Sequence, residues 1–295
     1  MARFNQIVVY GANGWLGRST VEAILTIAPR ISPEKILLIG SKFGEIQIQG
    51  KSLEILSPML GESRIKKDAI FINCAFLRRE FIDRLGENEF VTRNLEIMAL
   101  PMRTIRNIGL FSFVNLSSGA AASVDQNCLD SVIDAYSLLK RTSETEFEQE
   151  CSKAGTYFIN CRIYSLSGRY LNEFKNLALS TFISHALENK PIRVHSPLSK
   201  RTYIDGVDLM DIVLRLAIKG ESISFDSGGI LTSMLDLAQA ISKVAGKGQI
   251  EVSAGVGPES SYFGDYESLN LLALGVNRSL LGMEAQLANT MKAFN

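Results

Sequence analysis

Apolar and polar positions divide the chain into short buried runs separated by amphipathic stretches. Gln6-Ile-Val-Val-Tyr10, Lys35-Ile-Leu-Leu-Ile-Gly40 and Ser52-Leu-Glu-Ile-Leu56 are brief and aliphatic. So are Asp68-Ala-Ile-Phe-Ile-Asn-Cys-Ala75 and Phe111-Ser-Phe-Val-Asn-Leu116. Runs of this length and composition predict strands of a parallel sheet covered on both faces. Helical spacing follows the first run over Arg18 to Leu25 and recurs from Glu89 to Arg106 and from Tyr136 to Cys151. Pro101 inside the second of these predicts a kink or a boundary. In the third, Glu144, Glu146, Glu148 and Glu150 read as a solvated face. Thr156 to Gly168 supplies a sixth strand and its exit. Alternating strands and helices predict an α/β fold with a doubly wound parallel sheet. From about Arg169 that rhythm loosens into a smaller second lobe. Phe174 to Asn189 and Ser233 to Ala245 read there as helices, and Pro191 to His195 as a strand. The expected organisation is a main domain over 1–168, with 201–228 returning to it, and a lobe made mainly of 169–295.

Composition narrows the function classes. The 31 basic and 31 acidic side chains cancel, which argues against a nucleic-acid partner. No apolar run reaches the ~18 residues needed to span a membrane. The N-terminal residues lead into a strand without the pattern of a signal peptide. Cys74, Cys128, Cys151 and Cys161 lack CxxC spacing and read as reduced thiols. His185 and His195 are the only histidines, so no histidine-based metal site is expected. These observations point to a cytoplasmic soluble protein.

Three stretches carry candidate chemistry. Gly11-Ala-Asn-Gly14-Trp-Leu-Gly17 lies between the first strand and the first helix. Glycines there permit a tight turn and close backbone approach, and a helix N-terminus favours an anion, so the stretch suits a pyrophosphate. Tyr136 and Lys140 are four residues apart, which on a helix places both on one face. An ammonium near a phenol favours the phenolate and fits the tyrosine to proton transfer. Ser117-Ser118-Gly119 closes the fifth strand eighteen residues before Tyr136, at the sheet edge where ligands of open α/β sheets bind.

Glycines 11, 14 and 17, the Ser-Ser end and the Tyr/Lys pair together resemble the short-chain dehydrogenase/reductase superfamily. Its extended branch, the nucleotide-sugar epimerases, dehydratases and ketoreductases, fits best. The resemblance runs over nearly the whole chain and implies a Rossmann-type sheet with a smaller C-terminal substrate-binding lobe. It further implies a catalytic set of Ser118, Tyr136 and Lys140, with Lys140 also bonding the nicotinamide ribose. Gly11, Asn13, Gly14, Trp15, Leu16, Gly17 and Ala75 would contact the cofactor. Asn94 would steady the active-site backbone. Lys200-Arg201-Thr-Tyr-Ile-Asp-Gly-Val-Asp208 resembles the segment whose arginine clamps a nucleotide-sugar diphosphate, which assigns Arg201 to substrate. Ser165 stands where relatives carry a substrate-touching asparagine. Ser57-Pro58 departs from the family's adenine contact, and Gly257 to Tyr262 lacks its second phosphate-binding arginine.

NAD enzymes of this fold end the second strand with an acid that bonds the ribose 2′-hydroxyl. Here Gly40-Ser41-Lys42 offers a hydroxyl and a cation instead, which suits a 2′-phosphate. NADP is therefore expected in preference to NAD, with Ser41 and Lys42 as contacts. Gly119 and Ala120 follow the catalytic hydroxyl where 4,6-dehydratases of the family need Asp-Glu, which argues against a dehydratase. A nucleotide-sugar 4-ketoreductase is the first expectation. A 4-epimerase with tightly bound NAD is the alternative, and a non-catalytic NADP-binding scaffold is a third. Family members often dimerise through the helices around Asn94 and Tyr136, so a homodimer is a further expectation.

Overall fold

A computed structural model describes residues 4–125, 134–171, 177–253 and 260–294. Cys128, the start of the helix expected from Phe174, and the first half of the expected turn at Gly257 lie outside these. The chain forms two compact units, Met1–Arg162 with Met210–Phe225, and Ile163–Leu209 with Asp226–Asn295.

The first unit opens with β1 (Ile7–Tyr10), α1 (Trp15–Ile27) and β2 (Ile36–Ile39). A hairpin of β3 (Gly44–Ile48) and β4 (Lys51–Leu56) follows. It turns through Gln49 and Gly50, both at positive φ, the backbone that two-residue hairpins require. Next come α2 (Pro58–Glu62), β5 (Ile70–Asn73), α3 (Phe81–Leu85) and α4 (Glu87–Ile108). β6 (Ser112–Ser118), α5 (Ala120–Asp125), α6 (Ala135–Ala154) and β7 (Tyr157–Ile163) complete the run. α4 continues through Pro101 without ending there, so the boundary that proline could have marked is not made.

In the second unit β8 (Leu166–Ser167) precedes α7 (Ala178–Leu187), β9 (Ile192–Val194) and β10 (Lys200–Asp205). Then come α8 (Gly206–Lys219) and β11 (Ile223–Asp226), of which the later turns of α8 and nearly all of β11 belong to the first unit. β12 (Ile230–Ser233), α9 (Met234–Ala245), β13 (Ile250–Val252), α10 (Ser268–Gly275) and α11 (Met283–Met291) close the chain. β10 pairs antiparallel with β12 and parallel with β8, while β9 and β13 pair in parallel. Phe182, Ile183, Leu237, Ile241 and Leu287 form the buried core of this unit.

The described strands of the main sheet run in the order β11-β7-β6-β5-β1-β2-β4-β3. β1 pairs in parallel with β2 on one side and β5 on the other, β5 with β6, and β2 with β4; only β3 among these pairs antiparallel. The sheet is Rossmann-like and mostly parallel. Its strand order reverses between β1 and β5, the position at which such folds open a ligand crevice. Val8, Phe71 and Phe113 from the sheet share one core with Met98 and Ile105 of α4 and Phe147 of α6. Phe147 packs on Phe113 at 4.9 Å between ring centroids, a contact that fixes α6 against the strand bearing Ser118.

Among the described residues no helix is long and apolar enough to cross a membrane. None of their His, Cys, Asp and Glu side chains form a cluster of three able to hold a metal ion.

Candidate active site

The glycine turn sits at the switch point, and each of its glycines answers a different demand. Gly11 has φ +90°, and a Cβ there would lie 2.7 Å from the Ala75 amide nitrogen. Its own N–H donates to the Ile39 carbonyl at 2.8 Å, so the turn is seated between the ends of β2 and β5. At Gly17 a Cβ would meet the Gly11 carbonyl oxygen at 2.3 Å, whereas at Gly14 the nearest neighbour would be that oxygen at 3.4 Å. Gly11 and Gly17 are therefore required by packing, whereas a Cβ at Gly14 would make only ordinary contact. Gly14 also caps α1, whose N-terminus has no side-chain cap and no acid in its first turn. Uncapped amides and an unopposed helix dipole at an open backbone make a site for an anion. The indole N–H of Trp15, in the same turn, is buried without a hydrogen-bond partner. These features fit the diphosphate of a dinucleotide.

Asn13, expected to contact the cofactor, also braces the turn after β2. Its amide donates to the Lys42 carbonyl at 2.9 Å, and its Oδ1 accepts the Lys42 N–H at 3.1 Å. A Cβ at Gly40 would fall 2.0 Å from that Oδ1. Asn13 thus shapes the turn that presents Ser41 and Lys42, whose side chains are exposed.

Ser118 ends β6, and its Oγ accepts the Ala120 N–H at 3.2 Å at the start of α5. α6 is capped by Asp134, which accepts the Ser137 N–H at 2.9 Å. Arg79 pairs with Asp134 at 2.8 Å and donates to Ser137 Oγ at 3.1 Å. Its guanidinium lies over the Tyr136 ring, 5.4 Å from the centroid. The segment leaving β5 is thereby latched to the first turn of the helix that carries the Tyr/Lys pair. Asn94 steadies the same segment, its Oδ1 accepting the Leu77 N–H at 2.8 Å.

Lys140 is only 6% exposed. Its Nζ donates to the Leu116 carbonyl at 2.8 Å, on the strand that ends in Ser118. Burial pushes its pKa down to about 7, opposed chiefly by the nearby charge of Glu144. Cys74, beside Thr20 Oγ1 at 3.6 Å, is pushed by burial up to about 12 and is a neutral thiol. The glycine turn, the end of β5, the end of β6 and α6 therefore converge, with Lys140 among them.

Glu144 is a correction. It is 3% exposed, so it belongs to the interior and not to a solvated face. Arg162 of β7 grips it with two hydrogen bonds of 2.9 and 2.7 Å. Burial raises its pKa, but the hydrogen bonds and positive charge of Arg162 outweigh this and hold it below the usual range. Glu150 is also drawn inward, paired with Arg106 at 2.7 Å, while Glu146 and Glu148 are exposed as expected. The signal for Glu144 was present in the i, i+4, i+8 series Tyr136, Lys140, Glu144. Phe76 and Arg79 gave no such signal.

In the second unit Ser165 contributes its carbonyl to the Ile204 N–H at 3.4 Å. Arg201 donates from Nη1 to the Lys200 and Ser260 carbonyls, both at 2.8 Å, and from Nη2 to Ser260 Oγ at 3.2 Å.

A crevice of about 590 Å³ lined in part by Gln6, Leu37, Leu53 and Arg64 lies mainly toward the N-terminal ends of the strands, away from the ligand edge of such sheets.

Residues 7–225 match the NAD dependent epimerase/dehydratase family. No curated protein matches the chain. Among solved structures, the UDP-glucose 4-epimerase of Thermus thermophilus, in complex with NAD, is 15% identical with a TM-score of 0.74, covering 98% of each chain. The UDP-N-acetylglucosamine 4-epimerase of Methanobrevibacter ruminantium, in complex with UDP-N-acetylmuramic acid, is 16% identical with a TM-score of 0.76, covering 99% of this chain and 98% of that one. That of Bacillus cereus is 17% identical with a TM-score of 0.73, covering 98% and 96%. With the glycine turn, the Ser-Ser strand end and the Tyr/Lys helix in one unit, the chain belongs to the NAD-dependent epimerase/dehydratase family, a family of extended short-chain dehydrogenase/reductase enzymes.

Proposed function

We propose that this protein interconverts a hydroxyl and a carbonyl on a nucleotide-linked sugar, as a nucleotide-sugar 4-epimerase. The observation that carries this reading is Lys140, anchored 2.8 Å from the Leu116 carbonyl between the glycine turn and the strand end at Ser118. Solved structures named as UDP-sugar 4-epimerases, matched over nearly their full length, favour the epimerase over the ketoreductase expected first. A nicotinamide dinucleotide, when bound, supplies the acceptor and donor of the hydride. Its diphosphate would lie on the amides at Gly14, Trp15 and Leu16, and its adenosine ribose beside Ser41 and Lys42. The protein's own residues handle the proton. Ser118 hydrogen-bonds the reacting oxygen, and Tyr136 takes its proton as the carbonyl forms and returns it when the hydroxyl is restored. The positive charge of Lys140 favours the phenolate during that exchange. Ser165 and Arg201 are assigned to the substrate, Arg201 by the match of a guanidinium to a phosphate.

The exposed Ser41-Lys42 turn, with no acid at the end of β2, supports a second reading as an NADPH-dependent 4-ketoreductase. One assay separates them. An epimerase interconverts UDP-hexoses with no net change in nicotinamide absorbance. A ketoreductase consumes NADPH in step with a nucleotide 4-keto-sugar. Turnover of neither substrate class would overturn both readings.

A further inference from the structure

The ammonium of Lys140 has a second neighbour that its expected role does not account for. The Phe76 ring lies with its centroid 3.9 Å from Nζ, a close cation–π contact. A hydroxyl oxygen must come within about 2.7–3.2 Å of that nitrogen to accept a hydrogen bond. On the side covered by the ring no oxygen can do so, and another N–H is already directed at Leu116. The same ring packs edge-on against Tyr136, with centroids 5.8 Å apart and planes at 85°. One side chain therefore contacts both members of the pair. Phe76 is only partly buried and follows Ala75 in the irregular segment leaving β5. Leu77 is pinned by Asn94 immediately afterwards, so the ring can turn about its side-chain bonds while the backbone stays in place.

We propose that Phe76 sets the affinity for the nicotinamide half of the dinucleotide, its ring competing with the ribose hydroxyls for the Lys140 ammonium. The third N–H can serve one ribose hydroxyl; bonding the second displaces the ring, and the lost attraction weakens binding. The consequence is a cofactor held less firmly than it would be without the ring. This rests on the assignment of Lys140 to the ribose.

Trp15, the only tryptophan of the chain, stands in the glycine turn and reports binding by its fluorescence. Affinities for NAD, NADP and ADP are measured on the full-length protein and on Phe76→Ala, Phe76→Leu and Lys140→Met. Phe76→Leu keeps most of the apolar volume against Phe90, Ala135 and Leu139, so it guards against loss of fold. Both Phe76 variants are expected to bind the dinucleotides about 3- to 30-fold more tightly, the range of a cation–π contact. ADP, which lacks the nicotinamide ribose, should bind them as it binds the parent. Dinucleotide binding that is unchanged or weaker in Phe76→Leu, or an equal gain for ADP, overturns the proposal. If Lys140→Met binds dinucleotides as the parent does, the assignment of Lys140 to the ribose fails and the competition with it. If that variant binds them weakly while the Phe76 variants gain nothing, the competition alone fails.

Discussion

Replacing Glu144 by glutamine removes a buried charge and leaves the shape nearly unchanged. The carboxylate is almost wholly enclosed, while the side chain of Arg162 is 22% exposed. Removing one partner of a buried pair costs about 3–5 kcal/mol, because the other charge is left without compensation. Partial access of water to Arg162 puts this case at the lower end, about 3 kcal/mol, or a Tm fall of roughly 5–10 °C. Glu144→Gln/Arg162→Met should recover much of the loss, since two neutral side chains need no partner. The pH dependence has a definite sign. The folded pKa of Glu144 lies below its ordinary value of 4.5. Its stabilisation is therefore complete above 4.5 and is lost as pH falls through the lower folded value. Thermal melts of parent and variant should differ most at neutral pH and converge in acid. A penalty below about 1 kcal/mol at pH 7, or one that persists undiminished in acid, would refute the reasoning.

The three glycines of the turn should separate packing from binding. Gly17→Ala forces a Cβ against the Gly11 carbonyl and should cost about 1–3 kcal/mol in a melt. Gly14→Ala should melt like the parent yet lose at least about tenfold in dinucleotide affinity, because the added methyl group obstructs the close approach of the diphosphate to the backbone. Lys42→Glu should shift the ratio of NADP to NAD affinity at least about tenfold towards NAD in a fluorescence titration, through repulsion of the 2′-phosphate; an unchanged ratio contradicts the contact. Lys140 has a depressed pKa of about 7, so it loses its charge as pH rises through that value. Dinucleotide affinity should fall over the same interval, and a flat profile would mean that the ammonium does not hold the cofactor.

Much of the first unit was legible because its strands are short aliphatic runs with one alternative, burial in a parallel sheet. Ile7 to Tyr10, the glycine turn and α1 fall where the spacing places them. β3 was not legible. Gly44 to Ile48 alternates over only five residues between exposed and buried positions, and the turn uses Gln49-Gly50 where Asn or Asp usually signals a hairpin. α4 runs through Pro101 because that residue is buried among tertiary contacts, which override local propensity. Glu144 was misread because charge on a helix suggests a solvated face, and its partner Arg162 lies on a strand eighteen residues away. Of the site, the spacing of residues 11, 14, 17, 136 and 140 was readable. The divided role of Asn13, the latch of Arg79 and the ring of Phe76 arise only from folding.

Tyr136→Phe addresses the central claim most directly. It removes one hydroxyl and retains the ring packed against Phe76 and Arg79. Dinucleotide affinity and melting temperature should stay at parent values, while turnover of the nucleotide sugar falls by about 10²–10⁴, the scale of a general acid–base group. Turnover equal to the parent would mean that the tyrosine does not carry the proton, and the assigned mechanism would be wrong.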